Sequence, residues 1–317
     1  MGGTNTVVGI VNKRGEIIAR GSIETSKHAR IEDYINELSA LIHSLTEESG
    51  TKGQIKGIGV GAPSSNYHTG CIENAANLRW KGEIPFAKLL SEQTHLPVTL
   101  ANDANAAAIG EMMYGAARGM KDFIVMTLGT GVGSGIVANG QLIVGHDSFA
   151  GELGHITIRR ENGRPCGCGK SGCLETYSSA TGVVRTAREF LETRTDNSLL
   201  RNIPIEQMTS KDIFDAAMTG DKMAKEVFEK TGEILGEAFA DFVAFSSPEA
   251  IILFGGLSKA GDLILKPIRE SMEKNMVFLY KGKVKLLRSE LNESDAAVLG
   301  ASALGWEARQ IEQLTIC

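Results

Sequence analysis

No stretch of the 317-residue sequence holds the roughly 18–20 uninterrupted apolar residues that cross a bilayer, although 42% of it is hydrophobic. No basic segment leads into an apolar stretch and a small-residue cleavage site at the N-terminus, so the expected location is the cytoplasm and no membrane partner is expected. Met1-Gly2 with Thr6 fits a loose myristoylation pattern, but the same residues make better sense as a phosphate loop. Positive charge is not in excess either. With 38 acidic against 33 basic residues and a net charge of -5, there is no electrostatic reason to expect nucleic acid as a partner. Any phosphate chemistry is therefore local. Cysteine is scarce, five in all, an odd number that does not suit a disulfide framework. Three of them, Cys166, Cys168 and Cys173, crowd together, and that points to metal.

Low-complexity linkers are also missing, yet the length suits two ordinary domains. Thr6–Val11 and Glu16–Thr25 read as a hairpin around the turn cluster Asn12-Lys13-Arg14-Gly15. Tyr34, Ile35, Leu38, Leu41, Ile42 and Leu45 recur at helical spacing from Ile31 onward. Ile55–Val60 and Pro97–Ala101 read as strands. The first runs into Gly61-Ala62-Pro63 and the second into Asn102-Asp103, ahead of an alanine-rich helix over Ala104–Tyr114. Phe123–Leu128 opens a second series of strand, glycine loop and strand, with a tight turn at Asn139-Gly140. Helices over Thr181–Leu191, Asp212–Met218 and Ala224–Phe245, a buried strand at Ala250–Phe254 and a last helix over Ser294–Ile311 complete an α/β pattern whose ligands sit at strand ends. The boundary is placed near Gly115–Met120. This gives a small α/β domain over 1–118, with the C-terminal helix of about 297–317 packing back on it, and a larger one over 119–296.

Four groups of residues carry chemistry. Gly2-Gly3-Thr4-Asn5-Thr6 precedes a strand, where glycines let backbone amides converge on phosphate oxygens and threonine hydroxyls add donors; a plain hairpin tip is the bland alternative. Leu128-Gly129-Thr130-Gly131-Val132-Gly133-Ser134-Gly135-Ile136 is not a dinucleotide fingerprint, because the chain continues as a strand where that motif needs a helix. It fits a β-turn cradle for phosphate, and two such loops in separate halves can hold one nucleotide between them. His155 with Cys166, Cys168 and Cys173 makes a closed set of three thiolates and one imidazole, the ligand set of a structural zinc. Cys71 and Cys317 stand apart as plain thiols. Asn102, Asp103, Glu152 and Glu175 offer the convergent polar groups that vicinal hydroxyls require, and a metal loop fixing Glu152, His155 and Glu175 would pre-organise that surface.

Together these residues resemble the ROK family of repressors, open reading frames and sugar kinases. GGTNT, ANDANAAA, LGTGVGSG, GELGH, CGCGKSGCLE and LFGG carry the resemblance along nearly the whole chain, GELGH with CGCGKSGCLE most specifically. It implies a two-lobed ribonuclease-H-like fold of the actin and hexokinase type, and ATP-dependent phosphorylation of a hexose, glucose first. Another hexose or N-acetylhexosamine (N-acetylmannosamine, N-acetylglucosamine, fructose) is the alternative, and a sugar-binding regulator is the rival class. The resemblance makes Asp103 the general base. Asn102, Glu152, His155 and Glu175 become hexose contacts, with Gly61 and Asn77 as weaker ones. Gly2, Gly3, Thr4, Thr6, Thr130, Gly131 and Gly133 would hold phosphates, Gly255 and Gly256 would approach the adenosine, and Mg2+ would complete the nucleotide. A dimer or tetramer is the usual assembly.

One departure stands out. Members of that family carry an apolar strand ending in an aspartate just before Gly-Gly-Thr, whereas here Met1 meets Gly2 directly. The expectation is that the natural start lies upstream; a chain truly starting at Met1 would bind sugar and zinc yet transfer phosphate poorly. A regulator would need a DNA-binding helix-turn-helix ahead of GGTNT, and Asp103 with both glycine loops favours the kinase.

Overall fold

A computed structural model describes residues 1–315; Cys317 lies outside the described residues. In chain order the elements are β1 (Asn5–Val11), β2 (Ile17–Glu24), α1 (Ile31–Glu48), β3 (Ile58–Gly61), β4 (Ile72–Glu73), β5 (Glu83–Ile84), α2 (Phe86–Thr94), β6 (Val98–Ala101) and α3 (Asp103–Tyr114). They continue as β7 (Phe123–Leu128), β8 (Val132–Ala138), β9 (Gln141–Leu142), α4 (Glu175–Ser178), α5 (Ala180–Thr193), α6 (Ser210–Met218), α7 (Lys222–Ser246), β10 (Ala250–Phe254), α8 (Asp262–Asn275), β11 (Lys285–Arg288) and α9 (Glu293–Thr315). The α/β class expected from the sequence is the class observed. No described helix is long and apolar enough to cross a membrane. The strand expected from Ile55 begins only at Ile58. Gln54 closes a turn onto the Thr51 carbonyl, and the ladder starts where the Ile58 N–H reaches Pro97 O.

The chain divides into two compact units. The first comprises Met1–Gly119, Leu142–Ala150 and Glu290–Cys317, and the second Met120–Gln141 and Gly151–Ser289.

In the first unit β1 and β2 pair antiparallel, and β3 and β6 pair parallel, as separate two-stranded sheets. The hairpin turn is fixed by Asn12, whose Oδ1 accepts the N–H groups of Arg14 and Glu16, an Asx turn of the sort asparagine favours. The helical stripe read from the sequence turns inward: Tyr34, Ile35, Leu38 and Ile42 of α1 join Trp80, Phe86, Leu90 and Leu100 in one core, Leu41 packs against it half-buried, and Leu45 is buried as well. Helix α9 packs on β1, β3 and α3. It comes so close to β3 that a Cβ at Gly59 would collide with the Ala301 carbonyl, so glycine there admits the helix. Asn66 latches the excursion at 142–150 to this unit. Its Nδ2 donates to Glu73 Oε1 and the Asp147 carbonyl, and its Oδ1 accepts from the Ser148 hydroxyl and the amides of His68 and Thr69.

The second unit is built on one sheet in the order β11-β10-β7-β8-β9. β7 lies in the middle, parallel to β10 and antiparallel to β8. Both faces of β7 and β10 are covered, and Phe123–Met126 and Ala250–Leu253 are nearly inaccessible. That accounts for their continuous apolar sequence. α7 and α8 pack along their length and contribute Phe228, Leu235, Phe239, Ile264 and Ile268 to the core. The β8–β9 turn is the Asn139-Gly140 pair read from the sequence, both residues at positive φ, as a type I′ hairpin requires.

Candidate functional site

Each unit presents its candidate residues at strand exits. In the first, β6 ends at Asn102, which caps α3: its Oδ1 accepts the Ala104 N–H at 2.7 Å. Capping satisfies an orphan amide of the helix and leaves Asp103 as the first helical residue, exposed, with its Oδ1 2.8 Å from the same amide. Gly61, at the exit of β3, lies against Asp103 and Ala106. Asn77 is exposed, and its backbone carbonyl lies where a Cβ on Gly3 would sit, so the Gly2–Thr4 segment and the Asn77 turn are immediate neighbours.

Thr6, expected among the phosphate donors, points inward. Its Oγ1 is buried and lies 2.8 Å from Thr25 Oγ1 and 2.7 Å from the Tyr34 hydroxyl. The Thr25 N–H in turn donates to the Thr4 carbonyl at 2.8 Å. These side chains therefore brace the glycine loop from behind, while Thr4 is exposed. Burial holds the Tyr34 phenol neutral and pushes its pKa up to about 12.

In the second unit the loop between β7 and β8 carries Gly129, Thr130 and Gly131, with Gly133 following in β8. Its backbone is pinned from two sides. Ala180 N–H donates to Gly129 O, and the Thr181 hydroxyl donates to Thr130 O. Glu175, first residue of α4, accepts the Val132 N–H on Oε2 at 2.9 Å. A Cβ on Gly131 would strike that same oxygen. Gly255, at φ 100, turns the chain out of β10 against the Leu128 backbone, and Gly256 is exposed beside it. The loop, Glu175 and the Gly255 turn thus form one cluster.

The thiols adjoin it. Cys166 Sγ lies 3.8 Å from Glu175 Oε1 and 3.6 Å from His155 Nδ1, and Cys168 Sγ lies 3.7 Å from Cys173 Sγ. The four candidate ligand atoms of His155, Cys166, Cys168 and Cys173 all fall within 4.8 Å of one another. A tetrahedral ion with metal–sulfur bonds near ~2.3 Å has ligand–ligand edges of roughly 3.8 Å, so the set fits zinc. His155 points Nδ1 at the thiols, while Nε2 is 3.9 Å from Glu152 Oε2. Glu152 and His155 sit at either end of a short 3-10 turn.

Without a metal, burial and the two neighbouring thiols push the Cys173 thiol up to about 12. Burial also raises Cys166, while the Lys170 amide lowers Cys168. A dication at the centre reverses the unfavourable charge of such a cluster by taking the thiols as thiolates.

Several residues escaped the sequence reading. Arg164 is buried below the metal loop and bonded to its neighbours on every donor. Lys170 Nζ donates to the His155 carbonyl at 2.7 Å. Tyr34 and Thr25 support the first glycine loop. Lys170 lies inside the CGCGKSGC run that flagged the metal and Arg164 stands two residues before it, but nothing local tells a clamp from a solvated charge.

The description of the ROK family matches residues 1–308. The glucokinase of Halalkalibacterium halodurans is 40% identical, over 98% of this chain and 94% of its own length. That of Thermotoga maritima is 33% identical, over 96% and 95%. Among solved structures, a ROK family glucokinase from Streptomyces griseus in complex with glucose and AMPPNP is 31% identical and superimposes with a TM-score of 0.76, covering 95% of this chain and 96% of that one. The fold is that of the actin- and hexokinase-type sugar kinases, as the resemblance implied, and on this match along almost all of its length the chain belongs to the ROK family.

Proposed function

We propose that the protein is an ATP-dependent hexose kinase acting on glucose, converting glucose and ATP to glucose 6-phosphate and ADP. The observation that carries the reading is Asp103: an exposed carboxylate at a helix N-terminus, just past the exit of β6, in a chain 40% identical to a glucokinase. Phosphoryl transfer asks little covalent chemistry of a protein. It asks for alignment, charge neutralisation and a carboxylate to accept the nucleophile's proton. In this reading Asp103 takes the proton of the 6-hydroxyl as the O6–P bond forms and the bridging P–O bond to ADP breaks. Asn102, Glu152, His155 and Glu175 contact the hexose, with Gly61 and Asn77 at its edge.

Gly2, Gly3, Thr4, Thr130, Gly131 and Gly133 hold the phosphates, with Thr6 bracing the first loop; the Gly2 amide itself donates to Asn5 O and that of Gly133 to Thr127 Oγ1, and Gly255 and Gly256 leave room for the adenosine. Mg2+, when bound with the nucleotide, neutralises phosphate charge. Zinc on the cysteines and His155 is structural: all four positions are filled by protein, which leaves none for substrate.

The same reading carries a cytoplasmic location, where ATP and free hexose are supplied, no nucleic-acid partner, and a homo-oligomer of two or four copies. A coupled assay over glucose, fructose, N-acetylglucosamine and N-acetylmannosamine, with and without Asp103→Ala, tests it. Glucose should give the highest kcat/KM, and the substitution should abolish turnover on every sugar. Preference for an N-acetylhexosamine would overturn the substrate, and full activity of Asp103→Ala would overturn the mechanism.

A further inference from the structure

Arg164 stands two residues before Cys166 and is 9% exposed. An arginine buried this deeply needs all five of its N–H donors satisfied, and here they are. Nε donates to Glu189 Oε1 at 2.8 Å and one Nη to Glu189 Oε2 at 2.6 Å, a two-pronged carboxylate pair. That Nη also reaches Thr186 Oγ1 at 2.9 Å, and the other donates to the carbonyls of Thr176 at 2.8 Å and Gly182 at 3.2 Å. The guanidinium stacks 4.4 Å from the centre of the Tyr177 ring. The Arg164 backbone is held as well: its N–H donates to the Tyr177 hydroxyl at 3.0 Å, and its carbonyl accepts the Gly172 N–H at 2.8 Å.

These partners fall into two groups. Thr176, Tyr177, Gly182, Thr186 and Glu189 belong to α4 and α5, directly after Cys173 and Glu175. Gly172 closes the hairpin that carries Cys166 and Cys168, through the Pro165–Ser171 bridge and the Cys166 N–H to Lys170 O bond. The arginine therefore ties the hairpin holding two thiols to the helix that follows the third.

We propose that Arg164 is the positioning residue of the Cys3His site: it holds the thiols at tetrahedral spacing before the metal arrives, and so sets zinc affinity and residence time. The inference rests on the metal reading of the four ligands and is independent of which sugar is phosphorylated. A group that orients ligands in this way is worth 10–100-fold in metal affinity. Lysine is a poor substitute, because a single ammonium cannot reproduce a planar fork to a carboxylate and two carbonyls.

The test is zinc dissociation from the full-length loaded protein into excess chromogenic chelator, together with competition for the equilibrium constant. Arg164→Met should weaken zinc 10–100-fold and speed its release, and Arg164→Lys should recover only part of that. Glu189 is half exposed at its carboxylate, so Glu189→Ala probes the same clamp with little risk to folding, and it should weaken zinc several-fold. Lys211→Met, which loses an exposed ion pair with Asp215 within α6, serves as the control and should stay near the wild-type value. Wild-type affinity in both Glu189→Ala and Arg164→Lys would overturn the proposal, whether or not Arg164→Met folds. A wild-type protein that takes up no zinc would instead overturn the metal reading beneath it.

Discussion

The two units build their sheets differently. In the second, β7 has a partner on each side, and the strands beside it form one sheet of five. In the first, β1–β2 and β3–β6 remain separate pairs among the described residues, and α9 packs on both. The contrast is plain in corresponding places: Ala250–Leu253 of β10 are inaccessible, whereas all four residues of β3 are only half-buried. A strand paired on both sides, as β7 is, is held in place through its ladder. Two pairs bridged by a helix depend on close packing at glycines such as Gly59, and their outer edges stay open. In the proposed mechanism the less continuous unit carries the base, and the more continuous one carries the metal and the sugar contacts Glu152, His155 and Glu175.

That division of labour gives the largest expected effect. Asp103→Asn keeps the shape of the side chain and removes the base; general-base catalysis contributes about 10^2–10^4-fold, so kcat should fall by that order while bound zinc stays at one per chain. Cys168→Ser should do the reverse, losing zinc while the proton acceptor is intact, with the glucose KM rising as Glu152 and His155 lose their fixed positions. Steady-state kinetics read against metal analysis of the same samples would separate the two. A Cys168→Ser protein with full zinc content would break the comparison.

Next in size is the cost of truncating equivalent strands. Ile252 is fully buried in β10, so Ile252→Ala should cost about 2–5 kcal/mol through lost transfer energy and the cavity left behind. Val60 in β3 is half-buried, and Val60→Ala should cost about 1 kcal/mol. Urea titrations of both variants decide it; equal losses would mean that the first unit is as tightly closed as the second.

A third expectation concerns alkali. Tyr34 ionises at about 12 in the folded chain against an ordinary value near 10, because burial disfavours the phenolate. A raised folded pKa contributes stability that is complete below the unfolded value and is lost as pH climbs from about 10 through about 12. A shift of this size corresponds to roughly 2–3 kcal/mol. Tyr34→Phe should remove that part of the alkaline decline, while costing about 1 kcal/mol at neutral pH from the lost bond to Thr6. Urea midpoints from pH 8 to 11.5 for the two proteins would show whether the slope belongs to this phenol.

Much of this was legible in the sequence, and what failed to be legible did so for physical reasons. The Asn102 cap and the α3 helix behind it are local, encoded within a few residues of ANDANAAA. The metal set is nearly local, since a hairpin with glycines between cysteines can hardly place its thiols apart. The buried stripe of α1 followed from helical periodicity. Thr6 looked like a ligand donor because its sequence neighbours do; its partners Thr25 and Tyr34 lie 19 and 28 residues away, and only the tertiary fold turns the hydroxyl inward. Arg164 is similar, with partners 12–25 residues downstream. The excursion at 142–150 depends on Asn66, 81–82 residues earlier, a distance over which no pattern carries.

The smallest expected effect is the sharpest on the comparison itself. Ladder bonds alternate along a strand. Ile58 and Ala62 donate toward β6, so Gly59, between them, turns its N–H to the opposite edge. On β1 the Thr4–Thr25 bond fixes the phase, and the register of Thr6 with Ile23 and Val8 with Gly21 leaves Val7 and Gly9 directed away from β2. Amides on such open edges exchange at low opening free energies, whereas those of a doubly paired strand wait for larger openings. Hydrogen exchange should therefore find Val7, Gly9 and Gly59 among the fast amides of their strands, and Ile124–Met126 of β7 close to the global limit. Protection of Val7 and Gly59 equal to that of β7 would mean that a further strand partner covers both edges, and the contrast between the units would disappear.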